Sequence, residues 1–249
     1  MAEAAHKQNT YIQPKDKDIP LWRYMSFGRF VDLLSSSQLF FCRTDRFIDQ
    51  YEGYINSFTN SLIDGLFTEF KNAEEMRKNL KWLLGETKRL SFINCWHMNH
   101  SESLSMWETY CSNGEGVAVK SKFENLLHGI NDPNLGSMHI RPIRYAEKVE
   151  EEVNLANFLN LLNYKRPEYK YENELRVLLF YTQGIDDPNE KDKIIIQAPE
   201  FGQKISVDLN ILVDEIYVAP NAPEWFYELV KKLTTLTYQK PVLKSAFHR

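Results

Sequence analysis

The chain has 249 residues, of which 43% are hydrophobic and 13% aromatic, and its formal net charge is −4. A chain of this length and composition builds a sizeable globular core, and its charge supplies no overall field that attracts nucleic acid or anionic lipid. The three cysteines form no CxxC pair, and no stretch approaches the roughly 18 apolar residues of a membrane span. We therefore expect a cytoplasmic protein with reduced thiols.

The first third of the chain begins with a polar segment that lacks a hydrophobic signal region, so we expect residues 1–19 to form a flexible leader. Apolar spacing predicts a strand over 21–25, a helix over 27–34 with Ser26 as its N-cap, and a strand over 39–43. A four-residue apolar repeat then predicts a helical pair over about 56–89, after the polar loop 44–53.

The rest of the chain alternates short apolar runs with helical patterns. The runs predict strands over 91–96, 117–119, 140–145, 175–181, 193–197, 205–207, 215–218 and 242–243. Helical spacing predicts helices over 106–110, 153–164 and 224–236. No linker or repeat divides the chain, which indicates one α+β domain over 20–249 with a mixed or antiparallel sheet, flanking helices and the inserted helical pair.

A charged group precedes the predicted strand at 175–181. If the chain is already extended at Tyr171, alternation places Glu172, Glu174 and Arg176 on one face. Two carboxylates beside a guanidinium are typical of a general base or of an anchor for a polar ligand. The alternative is a helix end, at which Glu172 and Arg176 form a solvated i,i+4 ion pair.

An aromatic segment follows the predicted strand at 91–96. It contains Trp96, His97, Trp107 and Tyr110 within fifteen residues, and such rings suit either a pocket for a planar ligand or an ordinary core. His97 is a candidate general base or a hydrogen-bonded structural histidine.

Metal and phosphate motifs are weak in this sequence. Cys95 and His97 lack a second ligand pair at zinc spacing, and the acidic loop with Asp45, Asp49 and Glu52 lacks the pattern of a calcium loop. The sequence contains no GxxxxGK[ST], GxGxxG, GxSxG or HExxH. We therefore expect no metal site.

Several blocks together resemble a bacterial domain-of-unknown-function family, number 2971. The blocks are LWRYMS at 21–26, FCRTDRFID at 41–49, CWH at 95–97, MW at 106–107, KR at 165–166, YENELR at 171–176 and VDEIYVAPNAP at 213–223. The resemblance covers the chain from about residue 20 to 245. It implies no settled activity.

A second set of residues occurs in an order that resembles the pattern of ADP-ribosyltransferases. Those enzymes carry an Arg or His on the first strand, a Ser or Tyr on a middle strand and a Glu on a late strand. The resemblance implies NAD as a substrate and Glu174 as the catalytic carboxylate, with Glu172 and His97 beside it. The matching positions are Arg23 or Tyr24, then Ser91 or Ser103, then Glu172 and Glu174. In this scheme Arg23 holds phosphate or ribose, and Trp96 or Trp107 stacks on nicotinamide. Further candidates for ligand binding are Tyr110, Lys165, Arg166 and Arg176.

The sequence leaves three functional interpretations open. The first is an ADP-ribosyltransferase-like or NAD glycohydrolase-like effector, which takes a nucleotide-like small molecule and a protein or nucleic-acid acceptor. A toxin or phage-defence setting suits this interpretation and the ligand-sensing one below. The second is a metal-dependent nuclease or phosphodiesterase that uses Asp49, Glu52, Glu172 and Glu174, with Lys165 or Arg166 on a phosphate. The third is a non-enzymatic domain that senses a ligand or binds a partner.

Overall fold

The computed structural model describes residues 13–47, 49, 63–65, 68–111, 114–133, 137–147, 158–181, 185–186, 194–195 and 197–248. Most of the expected leader, residues 1–12, lies outside this part. The described residues form an α+β domain whose centre is a nine-stranded sheet, as the sequence predicts. No helix in these ranges is long and apolar enough to cross a membrane.

The described elements alternate along the chain. The strands are β1 (Pro20–Ser26), β2 (Gln38–Arg43), β3 (Ser91–Met98), β4 (Gly116–Lys122), β5 (Ser137–Pro142), β6 (Arg144–Tyr145), β7 (Tyr164–Lys165), β8 (Glu174–Phe180), β9 (Ile185–Asp186), β10 (Ile194–Ile195), β11 (Gly202–Ser206), β12 (Glu215–Val218) and β13 (Val242–Lys244). The α-helices are α1 (Phe27–Ser36), α2 (Ala73–Leu90), α3 (Leu104–Tyr110), α4 (Phe123–Gly129), α5 (Leu209–Leu212) and α6 (Glu224–Thr237). Short 3₁₀ helices cover Thr44–Arg46, Phe158–Asn163 and Pro167–Glu172.

The main sheet branches at β3. One path runs β11-β2-β3-β1-β4-β12-β13, and β8 joins β3 on its other edge, with β5 beyond it. The pairs are antiparallel except β12 with β13. Two strands pair with the edge of β3 that faces away from β8. β2 pairs there at Phe92 and Ile93, and β1 pairs at His97 and Met98. We call the opening beside residues 94–96 the β1–β2 split.

The two faces of the sheet differ in chemistry. On one face, Leu175, Val177 and Leu179 of β8 are buried in the main core, and α1 packs there, lining a small apolar cavity against Val119 and Ile216. On the other face, Leu178 joins Ile93, Leu159 and Leu162 in a second apolar cluster. Because side chains alternate along a strand, Glu174 and Arg176 share this second face with Leu178.

Most predicted strands and helices are present, and Ser26 is the N-cap of α1. Two predictions were wrong in detail. The described end of the helix predicted at 153–164 is a 3₁₀ helix followed by β7. The strand predicted at 140–145 is divided into β5 and β6. The helical pair predicted at about 56–89 is described only in part, and that part is helical at residues 63–65 and in α2. Residues 148–157 and most of 50–67 lie outside the described part.

Candidate active site

A tight turn at Asn173 separates Glu172 from Glu174, the first residue of β8. Pro167 begins the 3₁₀ helix that ends at Glu172, and Asn173 then takes a left-handed conformation with φ 36°, which asparagine tolerates better than most residues. The Asn173 carbonyl accepts a 2.9 Å hydrogen bond from the Met98 N–H, and the Asn173 amide donates to the Met98 carbonyl. The condition that the chain is already extended at Tyr171 is therefore not met, because β8 begins only at Glu174.

Lys165, rather than strand alternation, brings the carboxylates of Glu172 and Glu174 together. Its Nζ lies 2.6 Å from Glu172 Oε2 and 3.0 Å from Glu174 Oε2. Arg176 binds both oxygens of Glu174, at 2.6 and 3.1 Å, and donates to the Leu162 carbonyl at 2.8 Å. Glu172 does end a helix, as the helix-end alternative predicts, but that alternative was wrong in placing Glu172 and Arg176 on a solvated surface, because both residues are buried.

This four-residue cluster is buried. Glu174 is 3% exposed and Arg176 1% exposed. Burial raises the pKa of Glu174, but the charges of Arg176 and Lys165 outweigh this effect and lower the pKa to about 2. Glu174 is therefore an ionised carboxylate at neutral pH in a region from which water is excluded.

His97 sits beside Glu174 in the sheet, since the two residues are partners in the β3–β8 register. Its Nδ1 lies 2.5 Å from the Glu172 carbonyl oxygen, which can only accept, so Nδ1 carries the proton. Burial lowers the pKa of His97, and the bond to the Glu172 carbonyl offsets part of that effect. His97 is thus a neutral imidazole that fixes the turn before Glu174.

Tyr24 and Trp107 fill the space next to His97. The Tyr24 ring lies 6.1 Å from the His97 ring and 4.9 Å edge-to-face from Trp107. Ser103 caps α3, and its N–H donates to the Tyr24 hydroxyl at 2.9 Å. Trp107 is 2% exposed and its Nε1 donates to Glu102. In this arrangement Ser103 and Trp107 support Tyr24, and Trp107 is buried while Ser103 is half-buried.

Arg23 and Trp96 lie together in the β1–β2 split. Arg23 Nη1 donates to the Cys95 carbonyl at 2.6 Å, and its guanidinium carbon lies 6.0 Å from the centre of the Trp96 ring. Burial lowers the pKa of Arg23. Neighbouring residues alternate along a strand, so Tyr24 rather than Arg23 shares the face of Glu174, while the Arg23 guanidinium stays at the split on the Cys95 carbonyl.

Three remaining candidates have different positions. Tyr110 ends α3 near the cluster, where burial of its hydroxyl end and then the charge of Glu172 raise its pKa. Arg166 turns away to Asp49 at 3.2 Å and to Tyr169 at 3.4 Å. Ser91 begins β3, six residues from His97 or about 20 Å along the strand, so it does not join the site.

Some residues of the site were missed by sequence analysis. The Tyr145 hydroxyl accepts the Glu174 N–H at 2.8 Å, and the Leu162 carbonyl accepts from Arg176. These contacts join segments distant in sequence and leave no local signal. Asn173 could have been found, because an asparagine just before an apolar strand is typical of a left-handed turn residue.

The acidic side chains of the metal interpretation are paired with basic ones. Asp45 binds Arg43, Asp49 binds Arg166, and Glu172 and Glu174 share Lys165. Glu52 lies outside the described part. Within that part, no three His, Cys, Asp or Glu residues are grouped so as to hold a metal ion.

Residues 106–177 match the model of a family described as Protein of unknown function (DUF2971). This match confirms the family resemblance over a segment that contains most of α3, the 172–174 turn and the beginning of β8. Among solved structures, the chain is similar to Thermus sp. 2.9 DarT in complex with NAD+, with 10% identity and a TM-score of 0.40 over 96% of this chain and 100% of that one. Curated protein sequences contain no match.

Proposed function

We propose that the protein is an ADP-ribosyltransferase-like or NAD glycohydrolase-like enzyme that breaks the bond between nicotinamide and ribose in NAD. The observation that carries this proposal is the ionised, buried carboxylate of Glu174 at the first residue of β8. Nicotinamide leaves, and the ADP-ribosyl group passes to water or to another nucleophile, such as a group on a protein or a nucleic acid.

The order of the strands supports the proposal. The resemblance to ADP-ribosyltransferases requires residues from a first, a middle and a late strand to meet. Here β1, β3 and β8 are direct neighbours, and Trp22, His97 and Glu174 form one cross-strand row. Adjacent strands lie about 5 Å apart, so β1 and β8 are roughly 10 Å from each other. A ribose with its diphosphate can span that distance.

The electrostatics of Glu174 suit the departure of nicotinamide. Positive charge develops on the ribose as the bond to nicotinamide breaks, and a fixed carboxylate in a water-poor site stabilises that charge. The pKa of about 2 keeps Glu174 charged at all physiological pH values. Arg176 holds Glu174 Oε1 at 2.6 Å and so fixes the direction of the carboxylate.

Lys165 is the movable partner in this scheme. It contacts one oxygen of Glu172 and one of Glu174, so it can remain bound to Glu172 while leaving Glu174. That shift opens one acceptor position on Glu174 Oε2 for a ribose hydroxyl, while Arg176 Nη2 keeps its 3.1 Å bond to the same oxygen. Glu172 then serves as the counter-ion of Lys165, and His97 acts as a positioning residue through the Glu172 carbonyl.

Release of nicotinamide from NAD by three variants tests these roles. Glu174→Gln should lose turnover by about 10²–10³-fold, as expected when a group that stabilises the transition state is removed. Glu172→Gln is the matched control and should lose far less. The double variant Glu174→Gln, Lys165→Met removes one negative and one positive charge, so the charges of the cluster stay balanced. It should fold but should not recover turnover.

Two outcomes would reject the proposal. The first is normal turnover in a folded Glu174→Gln variant. The second is a wild-type protein that binds NAD but never releases nicotinamide, which would favour the ligand-sensing interpretation.

A further inference from the structure

A second opening lies on the same face of the sheet as Glu174, but on the other half of that sheet. Glu215, Lys120, Trp22, His97 and Glu174 are consecutive register partners across β12, β4, β1, β3 and β8, and the side chains of such partners project from one face. Adjacent strands lie about 5 Å apart, so Trp22 is roughly 10 Å and Lys120 roughly 15 Å from Glu174. The opening is therefore separate from the Glu174 cluster.

This opening is a cavity of about 380 Å³ between β1, β4, β12, β13 and the loop that joins β3 to α3. We call it the Trp22 cavity. Its volume lies within the range of about 300–1,000 Å³ that small-molecule sites occupy. Trp22 and Tyr217 form an aromatic wall with ring centres 5.0 Å apart, and Leu243 adds an apolar side chain. The cavity therefore suits a small ligand with a flat or apolar part.

Glu102 supplies a negative charge to the cavity lining, and this carboxylate is 8% exposed. Its Oε1 accepts from the Ala246 N–H at 2.8 Å, and its Oε2 accepts from Trp107 Nε1 at 2.9 Å. Both donors are neutral. Among the described residues no Lys, Arg or His forms an ion pair with Glu102, including His100, which also lines the cavity. A buried carboxylate without a counter-ion favours binding of a cation.

Two lysines of the lining are neutralised, yet each keeps donors for a ligand. Lys120 Nζ lies 2.7 Å from Glu215, and Lys244 Nζ lies 2.5 Å from Glu224. An ammonium group has three N–H donors, so one carboxylate partner leaves others for a further acceptor. Both ion pairs are partly exposed and therefore weak, which allows a ligand carboxylate to share the lysines. The cavity thus contains two ion pairs and one unmatched negative charge.

We infer that the Trp22 cavity binds a small zwitterion, a free amino acid with an aromatic side chain. Glu102 accepts from its ammonium group, Lys120 and Lys244 donate to its carboxylate, and its ring packs against Trp22 and Tyr217. A simple anion would be repelled by Glu102, and a simple cation by the two lysines. A molecule that carries both charges matches the lining better than either. This binding site does not depend on the proposed reaction with NAD.

Calorimetry with L-phenylalanine, phenethylamine and hydrocinnamate as separate probes tests this inference. Phenethylamine lacks the carboxylate and hydrocinnamate lacks the ammonium group, so wild type should bind L-phenylalanine about tenfold or more tightly than either. Glu102→Gln should weaken binding of L-phenylalanine about tenfold or more without weakening that of hydrocinnamate. Lys244→Gln should weaken binding of L-phenylalanine but not of phenethylamine, and its effect should shrink at high salt because the residue is exposed.

The matched control is Lys232→Gln, at an exposed position of α6 outside the cavity, which should bind all three probes as wild type does. Because Glu102 also accepts from Trp107, near-UV circular dichroism must first show that Glu102→Gln is folded. Lys244 is exposed, so its variant tests the site without that requirement. Equal affinity of wild type for the three probes, absence of L-phenylalanine binding, or an affinity for L-phenylalanine that is unchanged in Lys244→Gln would overturn the inference, whatever the rate of NAD turnover.

Discussion

At the scale of single residues, Glu174 should stabilise the fold as well as serve as the proposed catalytic carboxylate. It neutralises Arg176 and shares Lys165 with Glu172. Glu174→Gln should therefore lower the free energy of unfolding by roughly 3–5 kcal/mol, because a buried cation loses its partner. Adding Lys165→Met should recover part of that loss, and denaturant unfolding measures both. A Glu174→Gln variant as stable as wild type would show that the cluster does not support the fold.

The pKa values of buried groups predict two windows of acid destabilisation. Burial, and then the charge of Arg141, lower the pKa of His139 to about 4 from an unfolded value of 6.5. The unfolded chain therefore takes up a proton first, and stability falls as the pH drops from 6.5 towards 4. Glu174, with a pKa of about 2 against 4.5, adds a loss of roughly 3 kcal/mol as the pH drops from 4.5 towards 2.

Urea unfolding at a series of pH values measures both windows. His139→Gln should reduce the first but leave the part that His97 contributes, since burial lowers the pKa of His97 as well. Glu174→Gln with Lys165→Met should flatten the second. Stability that stays constant from pH 6.5 to 3 in wild type would contradict both assignments.

The sequence predicted which charged residues lie together, but not the backbone conformation and contacts that bring them together. Glu172, Glu174 and Arg176 were expected together through strand alternation, whereas the 3₁₀ helix and the left-handed Asn173 place Glu172, and Lys165 links it to Glu174. Short-range patterns identify such residue types well. They do not identify Tyr145 or the Leu162 carbonyl, because those partners arrive through tertiary folding.

At the scale of elements, the junction of α3 and β4 depends on a close approach at Gly116. A Cβ added there would lie 2.1 Å from Cys111 Cβ and 2.3 Å from its Sγ. Gly116→Ala should therefore destabilise the protein by about 1–3 kcal/mol through overpacking. Gly28→Ala is the matched control, since nothing lies within 4 Å of a Cβ there, and in α1 it should stabilise by roughly 0.5–1 kcal/mol. Equal effects of the two changes in thermal or denaturant unfolding would contradict this packing.

Elements with strong local patterns were the ones that the sequence predicted best. β1, β3 and β8 are short apolar runs, and α6 buries Phe226, Val230 and Thr234 at helical spacing. The 3₁₀ helices were not expected, because a single short turn has too few residues to establish a period. The expected strand at 193–197 falls mostly on residues outside the described part.

At the scale of the whole molecule, the arrangement of strands creates the site. The paired residues Trp22 and His97 are 75 positions apart in the sequence, and the paired residues His97 and Glu174 are about as far apart. No local pattern encodes such pairing, so the sequence predicted an α+β sheet without predicting its branch at β3. That branch is what opens the β1–β2 split beside the ionised Glu174.

The most direct test of the central claim is to incubate the purified protein with NAD, with and without a chelator, and to measure free nicotinamide by mass spectrometry. We predict release that is unaffected by the chelator, because the proposed groups are side chains and no metal takes part. A cell lysate added as a source of acceptors should raise the rate if transfer outruns hydrolysis. No release under any of these conditions, from a protein shown to be folded, would contradict the assignment of Glu174 to NAD cleavage.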